Sequence, residues 1–132
     1  MTTSSAILAV QGLTKRYGTG DAAVHAVEDV TLDIRRGEIV VIMGPSGSGK
    51  TTLLSMMGGL MRPTSGEVFL EETGIWTLPE AELAAIRAHR IGFIFQAFNL
   101  LGALTVEENI LLPAQLAPGG VRGAGPRMEE LV

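Results

Sequence analysis

Gly44-Pro45-Ser46-Gly47-Ser48-Gly49-Lys50-Thr51 matches the pattern G-x-x-x-x-G-K-[ST] at every fixed position. Its setting carries as much weight as the match. The loop leaves Ile39-Val40-Val41-Ile42-Met43, a continuous apolar run of the kind a strand covered on both faces requires. It enters a segment where Leu53, Met57 and Leu60 recur at helical spacing and Gly58-Gly59 punctuates the end. Backbone N–H groups of such a loop and the N-terminus of the helix converge on one anion. The glycines let the backbone close around phosphate oxygens, Lys50 supplies a point charge to the terminal phosphates, and Thr51 offers a hydroxyl to Mg²⁺. A glycine-rich turn that happens to contain Lys-Thr is the bland alternative, and the strand before and helix after it weigh against that.

Upstream of Glu38, residues 7–13 and the alternating set Val30, Leu32 and Ile34 read as half-buried strands of a small antiparallel layer. Downstream, residues 66–70 read as another strand. Thr77 with Glu80 forms a capping-box pattern for a helix running to about His89. Residues 91–95 are strand-like again. Thr105 with Glu108 opens a further helix that should end near Pro113 to Leu116. Residues 117–126 hold four glycines and two prolines, the composition of a linker. The last six residues could open a helix but are too few to hold one alone.

Composition narrows the function classes. At 132 residues the chain has the length of one domain. A net charge of −4 and a pI near 5.1 provide no basic field for nucleic acid or anionic lipid. The absence of cysteine removes disulfides, thiolate metal sites and thiol catalysis, and fits a reducing compartment. No apolar run approaches the ~20 residues of a spanning helix, and the N-terminus has no signal-peptide pattern, so direct membrane insertion is not expected. His25 and His89 lack partners at metal-ligand spacing, and Trp76 reads as packing. The arginines at 87 and 90 fit the dipole at a helix C-terminus.

Several segments together resemble the ATP-binding subunits of ABC transporters, most of all those serving lipoprotein-release, macrolide-export and cell-division-type membrane partners. The resemblance rests on Met43 through Thr52, on Ile91-Gly92-Phe93-Ile94-Phe95-Gln96, and on Phe98-Asn99-Leu100-Leu101 followed by Leu104-Thr105-Val106 and Glu108-Asn109. It spans about residues 7 to 116. It implies an α/β fold, an ABC-type P-loop nucleotide-binding domain in which an N-terminal antiparallel β layer precedes the start of a parallel-sheet core, left incomplete. The expected cofactors are ATP and Mg²⁺. The implied site comprises Tyr17 stacking on adenine, Gly44, Pro45, Ser46, Gly47, Ser48, Gly49, Lys50, Thr51 and Thr52 around the phosphates, and Gln96, with Thr51 and Gln96 toward the metal. Without the resemblance, Tyr17 is a tyrosine at the end of an edge strand and Gln96 a solvated loop residue. Implied partners are a transmembrane permease subunit, met through the apolar residues Phe98, Leu100, Leu101 and Leu104, and a second cassette in a homodimer. Those four residues read equally well as core. The implied location is cytoplasmic, peripheral at the inner face of the membrane.

No catalytic residue is assigned. Phosphoryl transfer to water needs acidic groups for the metal and the nucleophile. No apolar strand here ends in Asp-Glu, and the family's Leu-Ser-Gly-Gly-Gln signature and switch histidine do not occur. The expectation is an N-terminal portion of a longer ATPase, with residues 1–116 belonging to the ATP-binding domain and 117–132 a tail with the start of a helical subdomain. Such a chain would bind ATP without hydrolysing it alone. Two other readings remain. One is a non-hydrolysing nucleotide-binding or docking module. The other is a different P-loop enzyme, such as a small-molecule kinase or a GTPase. The absence of an Asn-Lys-x-Asp element weighs against a GTPase, and the absence of an arginine-rich lid against a kinase.

Overall fold

A strand that alternates apolar and polar residues needs only one covered face and one neighbour, and the N-terminal part of this chain supplies both locally. The computed structural model describes residues 6–116. Strands β1 (Ala6–Tyr17), β2 (Val24–Arg35), β3 (Ser65–Leu70) and β4 (Thr73–Gly74) form an antiparallel sheet in the order β2-β1-β3-β4. Helices α1 (Lys50–Met57), α2 (Glu80–Arg90) and α3 (Val106–Leu116) complete the regular structure, with short 3₁₀ turns at Gly20–Ala22 and Ile75–Thr77. The chain divides into two units, one ending at Leu83 and the other beginning at Ala84.

Register irregularities let the sheet present one apolar face. Val10 pairs with Leu32 and Leu13 with Val30, so β1 spends three residues where β2 spends two. Without that bulge, Val10 and Leu13 would point to opposite faces. With it, both are fully buried. The compensating extra residues of β2 fall between Val27 and Val30 and between His25 and Val27. Val10, Leu13, Val27 and Val68 from the strands, with Leu53, Met56, Met57, Ile75, Trp76 and Leu83, form the core. Burying each large aliphatic side chain contributes about 1.5–3 kcal/mol of transfer free energy.

Trp76 is a packing residue, as expected from sequence, and polar contacts hold its backbone. The Glu67 carboxylate accepts from the N–H groups of Val68 (2.8 Å) and Trp76 (3.0 Å). Arg62 donates to the Trp76 carbonyl at 2.7 Å and lies 5.3 Å from the indole centroid.

Two expectations need correction. Thr77 is not the N-cap residue of α2. It lies in the 3₁₀ turn, where its hydroxyl donates to the Gly74 carbonyl at 2.8 Å, and α2 begins three residues later at Glu80, with the N–H groups of Glu82 and Leu83 reaching the Pro79 carbonyl. Residues 39–43 and 91–95, read as strands, join no ladder among the described residues. Ile39 is 91% exposed and Ile94 fully so. Their composition suits strands buried on both sides, but residues 6–116 supply no neighbouring strand for either.

Candidate nucleotide-binding site

The glycine-rich segment folds as a loop capping α1. Ser48 N–H donates to the Pro45 carbonyl at 3.2 Å, which tightens the turn. Gly49 is the N-cap, with φ 87° and ψ 4°. This left-handed conformation favours glycine, and a Cβ here would also collide with the Ala26 carbonyl oxygen of β2. Gly49 therefore lets the helix start against the sheet. Leu53 N–H makes the first α-helical bond, to the Gly49 carbonyl at 2.9 Å. The preceding N–H groups of Lys50, Thr51 and Thr52 have no intrahelical acceptor. No side chain caps this end, and no acidic residue lies in its first turn. The positive end of α1 is thus left to an external anion.

Lys50 folds back over the loop. Its ammonium donates to the carbonyls of Gly44 (2.8 Å) and Pro45 (2.6 Å) and approaches the Ser48 hydroxyl at 3.3 Å. One cation is thereby stationed above the loop on exchangeable carbonyl contacts. Gly44, Pro45, Ser46, Gly47 and Ser48 are exposed, as is Thr51, while Thr52 is half-buried. At its other end α1 stops in a Schellman turn. Leu60 N–H reaches the Ser55 carbonyl (2.8 Å) and Gly59 N–H the Met56 carbonyl (3.2 Å), with Gly59 at φ 74°. The helix is anchored by Leu53, Met56 and Met57 in the core, which fixes where its N-terminus points.

Tyr17 ends β1 and pairs with Val24 of β2. The residue is 43% exposed, its hydroxyl donates to Met61 Sδ at 3.1 Å, and the Lys15 ammonium lies 5.4 Å from the ring centroid. Sequence reasoning gave Lys15 and Met61 no role. Lys15 stands two residues from Tyr17 on a strand, a spacing that puts both on one face. Met61 had no local signal, because it comes from the far side of α1.

Gln96 lies exposed in the second unit. Just before it the rings of Phe93 and Phe95 stack with centroids 5.6 Å apart and planes within 6°. The Thr105 and Glu108 capping box forms as expected. Thr105 N–H donates to Glu108 Oε2 (2.7 Å) and Glu108 N–H to Thr105 Oγ1 (3.2 Å). The bond from the Thr105 backbone, then that involving its side chain, holds the Glu108 carboxyl below the ordinary carboxylate value.

Asn109 ties the preceding loop to α3. Its amide donates to the carbonyls of Leu101, Leu104 and Thr105, and its oxygen accepts from Leu101 N–H at 2.8 Å. Phe98 is 91% and Leu100 69% exposed. Leu100 lines a cavity of about 290 Å³ together with Leu101, Leu104, Val106 and Ile110. The alternative reading of Phe98 and Leu100 as core is not met within this unit.

His25 lies 3.5 Å from Glu28, and His89 Nδ1 lies 2.9 Å from the Ala85 carbonyl. Arg87 and Arg90 fall in the last turn of α2, where sequence placed them. No helix among the described residues is long and apolar enough to cross a membrane. Residues 117–132, read as linker and helix start, lie outside the described residues.

Known proteins place this geometry in context. Residues 27–131 match the family described as ABC transporter. An uncharacterised ABC transporter ATP-binding protein of Mycobacterium tuberculosis is 43% identical over 125 residues, covering 95% of this chain and 38% of that protein. The macrolide export ATP-binding/permease protein MacB of Vibrio parahaemolyticus is 42% identical over 114 residues, covering 86% of this chain and 17% of its own length. Among solved structures, the ATP-binding cassette MJ0796, in a dimeric post-hydrolysis state bound to ADP and Pi, superposes with a TM-score of 0.82. The identity is 41%, and the match covers 92% of this chain and 53% of the cassette. MJ0796 is a protein of Methanocaldococcus jannaschii. The chain thus spans about half or less of the length of these relatives. With the fold, the loop and the relatives in agreement, the chain belongs to the ABC transporter family, among its ATP-binding subunits.

Proposed function

We propose that this chain binds MgATP through residues 44–52 and contributes that site to a cassette that powers a transmembrane permease. The observation that carries the reading is the uncapped N-terminus of α1, with Gly49 seated on β2 and the Lys50 ammonium parked on loop carbonyls. A triphosphate would replace those carbonyls as the partner of Lys50, exchanging neutral acceptors for charged ones. The free N–H groups of Lys50, Thr51 and Thr52 would take the phosphate oxygens. Thr51 would offer a neutral oxygen donor of the kind that suits Mg²⁺. Tyr17 offers its ring to the adenine.

Hydrolysis is not assigned to residues 1–132, because they carry no acidic strand end for the metal and the attacking water. In the proposed assembly two cassettes close on ATP and reopen after hydrolysis, at the cytoplasmic face of the membrane. The loop pinned by Asn109, with Phe98 and Leu100 exposed, meets the permease. Closure and reopening would be the steps that do work on the permease.

The test is equilibrium binding of MgATP to the 132-residue chain, with Lys50→Ala in parallel and phosphate release followed in the same samples. Binding weakened about ten- to hundredfold in the variant, the scale of a lost charge-assisted bond, with no phosphate released, supports the reading. Equal binding by both chains would remove Lys50 from the site. For the docking surface, Phe98→Glu should abolish co-purification with a permease while leaving MgATP affinity unchanged.

A further inference from the structure

The β1–β2 register sets Tyr17 opposite Val24, two residues along β2 from Ala26, whose carbonyl lies against Gly49. Two strand residues span about 6.6 Å. An aromatic ring and the open end of α1 therefore flank one short stretch of β2. The ring is held before any ligand arrives. Its hydroxyl donates to Met61 Sδ at 3.1 Å, and the Lys15 ammonium stands 5.4 Å from its centroid. That ammonium is itself fixed, donating to the Arg62 carbonyl at 2.7 Å. Met61 and Arg62 follow the Schellman turn of α1, so the clamp ties the end of β1 to the helix that carries the phosphate loop. Even so, 43% of Tyr17 remains exposed.

We propose that Lys15 is a positioning residue for a purine base: its ammonium caps one face of Tyr17, so that the base stacks on the opposite face only, in a fixed relation to the phosphate loop. The proposal rests on the nucleotide reading of residues 44–52. An ammonium is attracted to the negative face of an aromatic ring. Its hydrogen bond to a backbone carbonyl keeps it from swinging out to the phosphates. With the hydroxyl held by sulfur and one face by the cation, the ring has one surface left to offer. Stacking on a single face orients a base without reading its edges.

The chain has only two lysines, Lys15 and Lys50, so ¹³C-lysine labelling yields two sets of ε-methylene signals. Shielding by the Tyr17 ring should move the Lys15 set upfield, and Tyr17→Leu should remove that displacement while sparing the Lys50 set. A Lys15 set with no upfield displacement in the unsubstituted chain overturns the proposal. Binding of MgATP and of Mg-tripolyphosphate is then compared in the unsubstituted chain, Lys15→Met and Lys15→Arg. Lys15→Met should weaken MgATP about two- to fivefold more than tripolyphosphate, with Lys15→Arg recovering most of the loss. Equal losses for the two ligands would make Lys15 a phosphate contact and overturn the proposal. If the unsubstituted chain binds neither ligand, the nucleotide reading fails and takes the purine role with it. Binding of both without an ATP-specific loss fails the role of Lys15 alone.

Discussion

Strand β2 and residues 39–43 follow one another in the chain, and they fare differently although the second is the more apolar. In β2, polar residues alternate with Val30, Leu32 and Ile34, which are half-buried, and every ladder contact comes from β1, its neighbour in sequence. Residues 39–43 have no polar position, gain no ladder partner, and leave Val41 72% and Met43 86% exposed. Hydrophobicity alone therefore does not secure a strand. A segment suited to burial on both faces needs neighbours on both sides, and residues 6–116 do not provide them. Residues 91–95 repeat the case, with Phe93 and Phe95 stacked on each other instead.

The sharpest way to break this contrast is to substitute one residue from each side of it. Leu13→Ala should destabilise the sheet unit by about 2–5 kcal/mol, whereas Val41→Ala should stay within about 0.5 kcal/mol. Urea unfolding followed by the single, buried Trp76 reports both. Hydrogen exchange should agree, with strong protection at Val10 and Val68 and none at residues 40–43. Protection of those four amides in the chain alone would show that they have found a partner, and would undo the comparison.

The next effect lies at the junction of the two regions. Gly49→Ala forces a Cβ into the left-handed region and into the Ala26 carbonyl. It should cost at least about 2 kcal/mol and lower MgATP affinity in step. Retained stability and affinity would mean that the helix does not need to start against β2.

Smaller effects sharpen the comparison by testing a local device that needs no distant neighbour. Thr105→Ala removes one arm of the capping box and should cost α3 about 1 kcal/mol, seen as faster exchange at residues 106–110. The smallest effect is that of pH. The Glu108 carboxyl titrates below its ordinary value of 4.5 in the folded chain. Its contribution is therefore complete above that value and is lost as pH falls through the lowered one. An NMR titration of Glu108 should show the depression, and Thr105→Ala should move the carboxyl back toward 4.5. An unchanged titration in the variant would separate the shift from the cap.

Features with a local cause were legible before any coordinates. The Thr105 and Glu108 box formed because both partners lie within one turn. The Thr77 and Glu80 pattern has the same spacing, yet Thr77 was drawn into a 3₁₀ turn and α2 began only at Glu80. β1 runs on to Tyr17, well past the residues 7–13 read as a strand, because bulges disrupt the two-residue period that identifies a strand.

By itself the sequence determined the phosphate loop, the helix that follows it, the family and the antiparallel character of the N-terminal layer. Each depends on residue types at fixed short spacing, where backbone conformation and side-chain chemistry act on their immediate neighbours. Only the tertiary structure decided that Gly49 sits on Ala26, that Tyr17 is held between Lys15 and Met61, and that Asn109 ties down the loop before α3. Those outcomes depend on which distant segments are present to meet. Contacts between residues far apart in the chain are set by register and packing, which residue spacing does not encode.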